Sequence, residues 1–128
     1  MVAKVSMEKK IKIGINGFGR IGRNLLRLLI NHPNIEVVAI NDLAEAATLA
    51  HLLKYDSIHG KLPHEVFSTD NYIVVNQRKI PVLMHDHPRD IPWDELGVDI
   101  VVESSGKFKS KEDLEHHLKK GVKKVLLS

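Results

Sequence analysis

Apolar positions along this chain change period in a regular order. Ile11–Ile15 is a short run rich in β-branched residues, and Val37–Ile40 is an unbroken apolar run. Between them Ile21, Leu25, Leu28 and Leu29 recur at helical spacing and stop before Pro33. This predicts a strand, a helix starting near Arg20, and a second strand. Ala46, Leu49, Ala50 and Leu53 form one stripe and predict a helix over about 44–53. From Val66 to Met84 the period shortens and β-formers dominate. Short strands are predicted there at Val66–Ser68, Tyr72–Val75 and Lys79–Leu83, with Asp70-Asn71 and Asn76-Gln77 as turns. Pro81 argues for an edge position, because proline has no N–H to give a ladder. A strand at Ile100–Val102, a helix near Lys111–Lys120 and a strand at Val125–Leu127 follow. Ser110 with Asp113 reads as the capping pair of that helix and Gly121 as its stop.

Strands that are apolar throughout, alternating with helices, belong to a parallel sheet covered on both faces. The expected fold is therefore an α/β, open, doubly wound and mostly parallel sheet with a small antiparallel β insert. Ligands of such sheets lie at the carboxyl ends of the strands. Those ends hold Asn16–Gly22, Asn41–Asp42, Glu103–Phe108 and Ser128.

The first of these clusters carries a pattern with a mechanism. Gly17-x-Gly19-x-x-Gly22 follows a predicted strand and opens a predicted helix, the context of a Rossmann-type dinucleotide fingerprint. Gly17 would make the turn, Gly19 would let the backbone approach a pyrophosphate, and Gly22 would pack helix on strand. Unpaired N–H groups around Arg20 and Ile21, helped by the helix dipole, would hold the phosphates. Asp42 stands 20 residues after Gly22 at the end of the second strand, where an acidic side chain accepts hydrogen bonds from a ribose. Asp42 and Glu45 also have the spacing of a capping pair for the second helix.

Composition narrows the chemistry. The chain has 128 residues, 43% of them hydrophobic, which suits one soluble domain with a real core. No apolar run approaches the ~20 residues of a membrane span, and the first ten residues read as a short polar tail in which Met7 is a candidate start. There is no cysteine, which excludes disulfides, thiolate zinc sites and a cysteine nucleophile within these residues and points to a cytoplasmic location. The net charge of +3 gathers late in the chain, but Glu112, Asp113 and Glu115 sit among the lysines and no aromatic alternates with them. That is a solvated helix face rather than a nucleic-acid patch. His85, His87, His116 and His117 lack a third ligand at usable spacing, so no metal site is expected and they read as surface histidines. Trp93 reads as packing for the loop before Ile100, and no acid–base or nucleophilic constellation stands out.

The segments "KIGINGFGRIGRNLLR", "VVAINDL", "LAHLLKYDSIHGK", "IPWDELGVDIVVESSGKF" and "HLKKGVKKVLLS" fall in the order seen in phosphorylating glyceraldehyde-3-phosphate dehydrogenases, from residue 11 to Ser128. The chain resembles the NAD-binding domain of that family. The resemblance implies NAD as cofactor, a homotetrameric glycolytic enzyme, and a phosphorylated aldehyde and phosphate as its reactants. By motif, Arg20 and Ile21 would contact the pyrophosphate and Asp42 would accept from the adenosine ribose, with Asn16, Gly17, Phe18, Gly19 and Gly22 cofactor-binding residues of the same turn. Ser105, Gly106 and Phe108 match the "ESTGxF" stretch beside adenine and its ribose, with serine replacing threonine at Ser105. Ser128 matches a residue near the nicotinamide, and Tyr55, Asp56, Ser57 and His59 match a loop that helps build subunit contacts.

Two departures stand against that pattern. Where the family has "ERDP" this chain has His85-Asp86-His87-Pro88, so Asp86 replaces an arginine beside the adenine. The family's cysteine thiolate and its histidine base have no counterpart here, nor does the last strand of the cofactor domain. The expectation is a tail over 1–10, an incomplete NAD-binding domain over 11–128, no catalytic domain, and no turnover by these residues alone. An erythrose-4-phosphate dehydrogenase of the same family and a non-catalytic nucleotide- or RNA-binding module are the alternatives.

Overall fold

In chain order the computed structural model, which describes residues 10–55 and 65–128, forms β1 (Ile11–Asn16), α1 (Arg20–Leu29), β2 (Ile35–Asn41), α2 (Ala46–Tyr55), β3 (Val66–Thr69), β4 (Tyr72–Val75), β5 (Arg78–Leu83), β6 (Ile100–Glu103), α3 (Lys111–Leu118) and β7 (Lys124–Leu127). The expected tail falls outside the described residues except for Lys10, as do Asp56, Ser57 and His59 of the expected contact loop. Among the described residues the strands join in one sheet of order β3-β4-β5-β2-β1-β6-β7. The β1–β2, β1–β6, β2–β5 and β6–β7 pairs are parallel, and β3-β4-β5 is an antiparallel meander. Strand order reverses direction at β1, so the sheet is wound both ways from it, and the expected Rossmann-type α/β fold is the one found. No helix among the described residues is long and apolar enough to cross a membrane.

Alternation along the strands sends their side chains to opposite faces. Ile13 and Ile15 of β1 and Ile40 of β2 pack with Leu26 of α1 and with Leu49 and Leu53 of α2. Each such leucine contributes about 1.5–3 kcal/mol by burial. The opposite face holds a separate cluster of Ala39, Ile91, Trp93, Val98, Val101 and Val122. Its centre is Trp93, fully buried as expected of a packing residue. Small residues make room for the indole: a Cβ on Gly14 would lie 2.5 Å from Trp93 Cζ3. Gly14 pairs across the ladder with Ala39, just after a register shift between Ile13 and Gly14.

Three expectations are corrected. Pro81 is not at an edge, because β5 lies between β4 and β2. The Val82 N–H donates to Asn71 O on the β4 side, so alternation turns the Pro81 nitrogen toward β2, whose ladder with β5 begins only at Val82. The proline thus costs no ladder bond. Second, α2 begins at Ala46, and the Asp42 carboxylate accepts from Ala44 N–H ahead of it, so Asp42 and Glu45 do not form its capping pair. Third, His117 is not a surface residue: it is fully buried on α3. The capping of α3 is as expected, with Ser110 Oγ accepting from Asp113 N–H at 3.1 Å.

Candidate cofactor-binding site

The turn between β1 and α1 is possible only with glycine at two points. Gly17 has φ +94°, and a Cβ there would stand 2.5 Å from the backbone of Ser105. A Cβ on Gly22 would stand 2.6 Å from Gly17 O, so α1 starts hard against the turn. Three bonds pin that turn: Gly17 N–H to Asn41 O at 2.8 Å, Phe18 N–H to Asp42 Oδ2 at 2.7 Å, and the buried Arg23 guanidinium to Phe18 O at 3.1 Å. The Phe18 side chain is buried beneath. Gly19 is the N-cap of α1 and supplies no side-chain acceptor, so the first-turn N–H groups are left to an outside partner. A Cβ on Gly19 would meet nothing within 4 Å. Arg20 and Ile21 stand exposed on this first turn.

Alongside it opens a cleft of about 260 Å³ whose walls include Gly19, Asp42, Leu43, Asp86, Ser105 and Phe108. Of the sequence-derived site residues, Asn16, Gly19, Asp42, Ser105 and Phe108 line the cleft. Gly17, Phe18 and Gly22 are buried beneath it, and Gly106 is exposed between Ser105 and Phe108. Ser128 lies at the same sheet edge, its N–H on Glu103 O at 3.1 Å, but it is outside the cleft wall. Asn41, Ser104 and Lys107, from the strand-end clusters expected at the crevice, also line the cleft, together with Leu43 and His85, which were given no place in it. Asn41 clamps His85 twice, donating to its O at 2.8 Å and accepting from its N–H at 2.9 Å. Ser104 Oγ donates to Gly17 O at 2.7 Å, tying the β6 loop to the glycine turn.

The floor of the cleft is polar and fully paired. Register places Asn16 between Asn41 and Glu103 on neighbouring strands. Asn41 Nδ2 donates to Asn16 Oδ1 at 2.8 Å, and Asn16 Nδ2 donates to Glu103 Oε1 at 2.7 Å. His117 Nε2 meets the same Oε1 at 2.8 Å, while Ser105 gives Oε2 its N–H at 3.1 Å and its hydroxyl at 2.6 Å. Burial pushes the Glu103 carboxyl up, but the bonds from His117, Ser105 and Asn16 outweigh it and hold the group below its ordinary value. Sequence reasoning placed Glu103 at the crevice without a role and missed His117, which it read as a surface residue. Spacing offered one signal for His117, which falls three residues after Leu114 on the same side of α3.

His87 is edge-on to Phe108 at 5.4 Å and to His116 of α3 at 5.1 Å, so it links Phe108 to that helix. No group of three His, Cys, Asp or Glu that could hold a metal ion occurs among the described residues. The cleft instead offers unpaired backbone donors for a diphosphate, a carboxylate for a diol, and two carboxylates, Asp42 and Asp86, that repel extra negative charge.

A family profile described as glyceraldehyde 3-phosphate dehydrogenase, NAD binding domain, matches residues 11–111. Glyceraldehyde-3-phosphate dehydrogenase of Geobacillus stearothermophilus is 56% identical over 118 residues, covering 92% of this chain and 35% of that protein. The enzyme of the same name from Streptomyces coelicolor is 56% identical over 119 residues, covering 92% and 35%. That of Mycoplasma pneumoniae is 48% identical over 128 residues, covering 100% and 37%. The chain therefore spans about a third of the length of these relatives. With the profile matching most of its length, the chain belongs to the glyceraldehyde-3-phosphate dehydrogenase family, as a NAD-binding domain whose cofactor is NAD.

Proposed function

We propose that this chain is the cofactor-binding part of a longer, phosphorylating dehydrogenase that oxidises glyceraldehyde 3-phosphate with NAD and phosphate to 1,3-bisphosphoglycerate. NAD supplies the hydride acceptor, and these residues bind and orient it. The observation that carries the reading is the convergence of the open Gly19 turn, the Asp42 carboxylate and the Ser105–Phe108 loop on one cleft. In this reading the N–H groups of Gly19, Arg20 and Ile21 receive the pyrophosphate at the positive end of α1. Gly17 and Gly22 shape the turn, and Asn16 and Phe18 hold it from below. Asp42 keeps its bonds to Phe18 and Ala44 N–H and accepts ribose hydroxyls with its remaining lone pairs. Ser105, Gly106 and Phe108 flank the adenosine, and Ser128 stands toward the nicotinamide.

The chemistry is assigned to residues outside these 128. The chain has no cysteine, and aldehyde oxidation of this kind needs an activated thiolate to form the covalent adduct. The length of the relatives supports a second, catalytic domain, and membership of the family is the ground for reading the whole protein as a cytoplasmic homotetramer. Among the described residues β7 pairs with β6 alone and leaves Leu126 and Leu127 half exposed, which supports a further strand beside it in the longer protein. The test is absorbance of reduced nicotinamide with glyceraldehyde 3-phosphate and phosphate. Turnover is expected from the intact enzyme and none from residues 1–128 alone. Sustained turnover by the 128-residue piece would refute the division of labour.

A further inference from the structure

Glu103 is surrounded by donors alone. Asn16 Nδ2 and His117 Nε2 meet one oxygen, and the N–H and hydroxyl of Ser105 meet the other. The second ring nitrogen of His117, Nδ1, accepts from Trp93 Nε1 at 2.9 Å. An indole N–H can only donate, so Nδ1 carries no proton in this pairing and the ring proton sits on Nε2, facing Glu103. Trp93 is fully buried against β1, where Gly14 leaves the room that a Cβ, 2.5 Å from the indole, would take. A chain of contacts thus runs from the buried face of the sheet, through His117 and Glu103, to a residue of the cleft wall.

We propose that His117, with its tautomer set by Trp93, is a positioning residue for cofactor binding. It orients the Glu103 carboxylate so that its far oxygen fixes Ser105, and with Ser105 the loop that walls the cleft. Ser105 passes the constraint on in two ways. Its hydroxyl oxygen accepts from Lys107 N–H at 3.2 Å, and its backbone lies against Gly17 of the phosphate turn. Without the His117 proton, Glu103 keeps its bonds to Ser105 and Asn16 but loses the restraint from α3. The inference rests on reading this cleft as the NAD site, since only then does loop order translate into cofactor affinity.

Three variants of the intact protein separate positioning from plain packing. His117→Leu removes both ring bonds, His117→Gln keeps a donor toward Glu103, and Trp93→Phe keeps an aromatic ring but frees Nδ1. NAD affinity is read by calorimetry and loop order by hydrogen–deuterium exchange of the segment 103–109 without cofactor. His117→Leu should weaken NAD about tenfold and speed exchange of that segment. His117→Gln should recover most of both, and Trp93→Phe should lie between. If His117→Leu does not fold, the contrast of His117→Gln with Trp93→Phe carries the same test. Equal affinity and exchange in all folded variants would overturn the proposal, as would a loss that His117→Gln fails to recover. If the unmodified protein does not bind NAD, the cofactor reading falls instead, and loop exchange alone decides the role of His117.

Discussion

The two faces of the sheet are filled in different ways. Beneath α1 and α2 the packing is aliphatic, from Ile13 and Ile15 through Leu26 to Leu49 and Leu53. On the other face, Trp93 and the small cluster around it enclose one end of a hydrogen-bonded chain running through His117 and Glu103 to Asn16 and Asn41. On the first face volume dominates stability, with the Arg23 and Arg27 guanidinium groups of α1 bonded to the Phe18 and Leu53 carbonyl oxygens at its margin. On the second, donor must meet acceptor at every step, since an unpaired buried polar group costs about 1–3 kcal/mol. The aliphatic face supports the sheet. The polar one ties the sheet to the cleft.

Truncation of Trp93 should have the largest effect. Trp93→Ala empties the centre of its cluster and strands His117 Nδ1, so denaturant unfolding should show a loss of at least about 3–5 kcal/mol. A sharper contrast comes from changes that hardly alter volume. Glu103→Gln replaces an all-acceptor group with an amide that turns donors onto donors, and should cost about 3 kcal/mol. Ile15→Val, equally buried on the aliphatic face, should cost only about 0.5–1.5 kcal/mol. Equal losses from that pair would erase the distinction between the faces.

Acid should act on the polar face selectively. The folded chain holds the Glu103 carboxyl below its ordinary value of 4.5, so it binds that proton less readily than the unfolded chain does. The stability this contributes is full above about 4.5 and is lost as pH falls through the lowered folded value. Stability curves against pH should therefore flatten in that acidic range for Glu103→Gln and keep their slope for Ile15→Val. The smallest effect expected is at the β4–β5 turn, where Asn76 and Gln77 have φ +52° and +72°. Such a two-residue turn favours glycine second, so Gln77→Gly should stabilise by roughly 0.5 kcal/mol in thermal unfolding. No gain would mean that the turn relaxes out of this geometry in solution.

What was legible in the sequence follows the same division. Ile13, Ile15, Leu49 and Leu53 announce their face through period alone, and Gly17, Gly19 and Gly22 announce the turn through spacing. Asn16 and Glu103 are legible as strand-end residues at the crevice but not as a buried pair: each is a type usually found at the surface, and they meet only because β1 and β6, 87 residues apart, lie side by side. His117 sits in a mostly charged helix and so reads as solvated, yet its ring faces the core. Pro81 misled for a related reason, since its lost N–H matters only where the ladder has begun, and that depends on register with β2. Periodicity is local information, and partners across the sheet are not.

The central claim is that this cleft takes NAD and that Asp42 sets the preference for it. A 2′-phosphate carries about −1.5 to −2 charges, and one placed ~4 Å from the carboxylate would be repelled by at least ~1.5–2 kcal/mol even in bulk water, or about tenfold or more in affinity. The most direct measurement is calorimetric titration of NAD and NADP into the intact protein and into Asp42→Ala. The unmodified protein should bind NAD at least about tenfold tighter. Asp42→Ala should bind NAD more weakly, having also lost the bond from Phe18 N–H, while the gap to NADP narrows. NADP binding as tightly as NAD before the substitution, or a gap unchanged after it, would contradict the account.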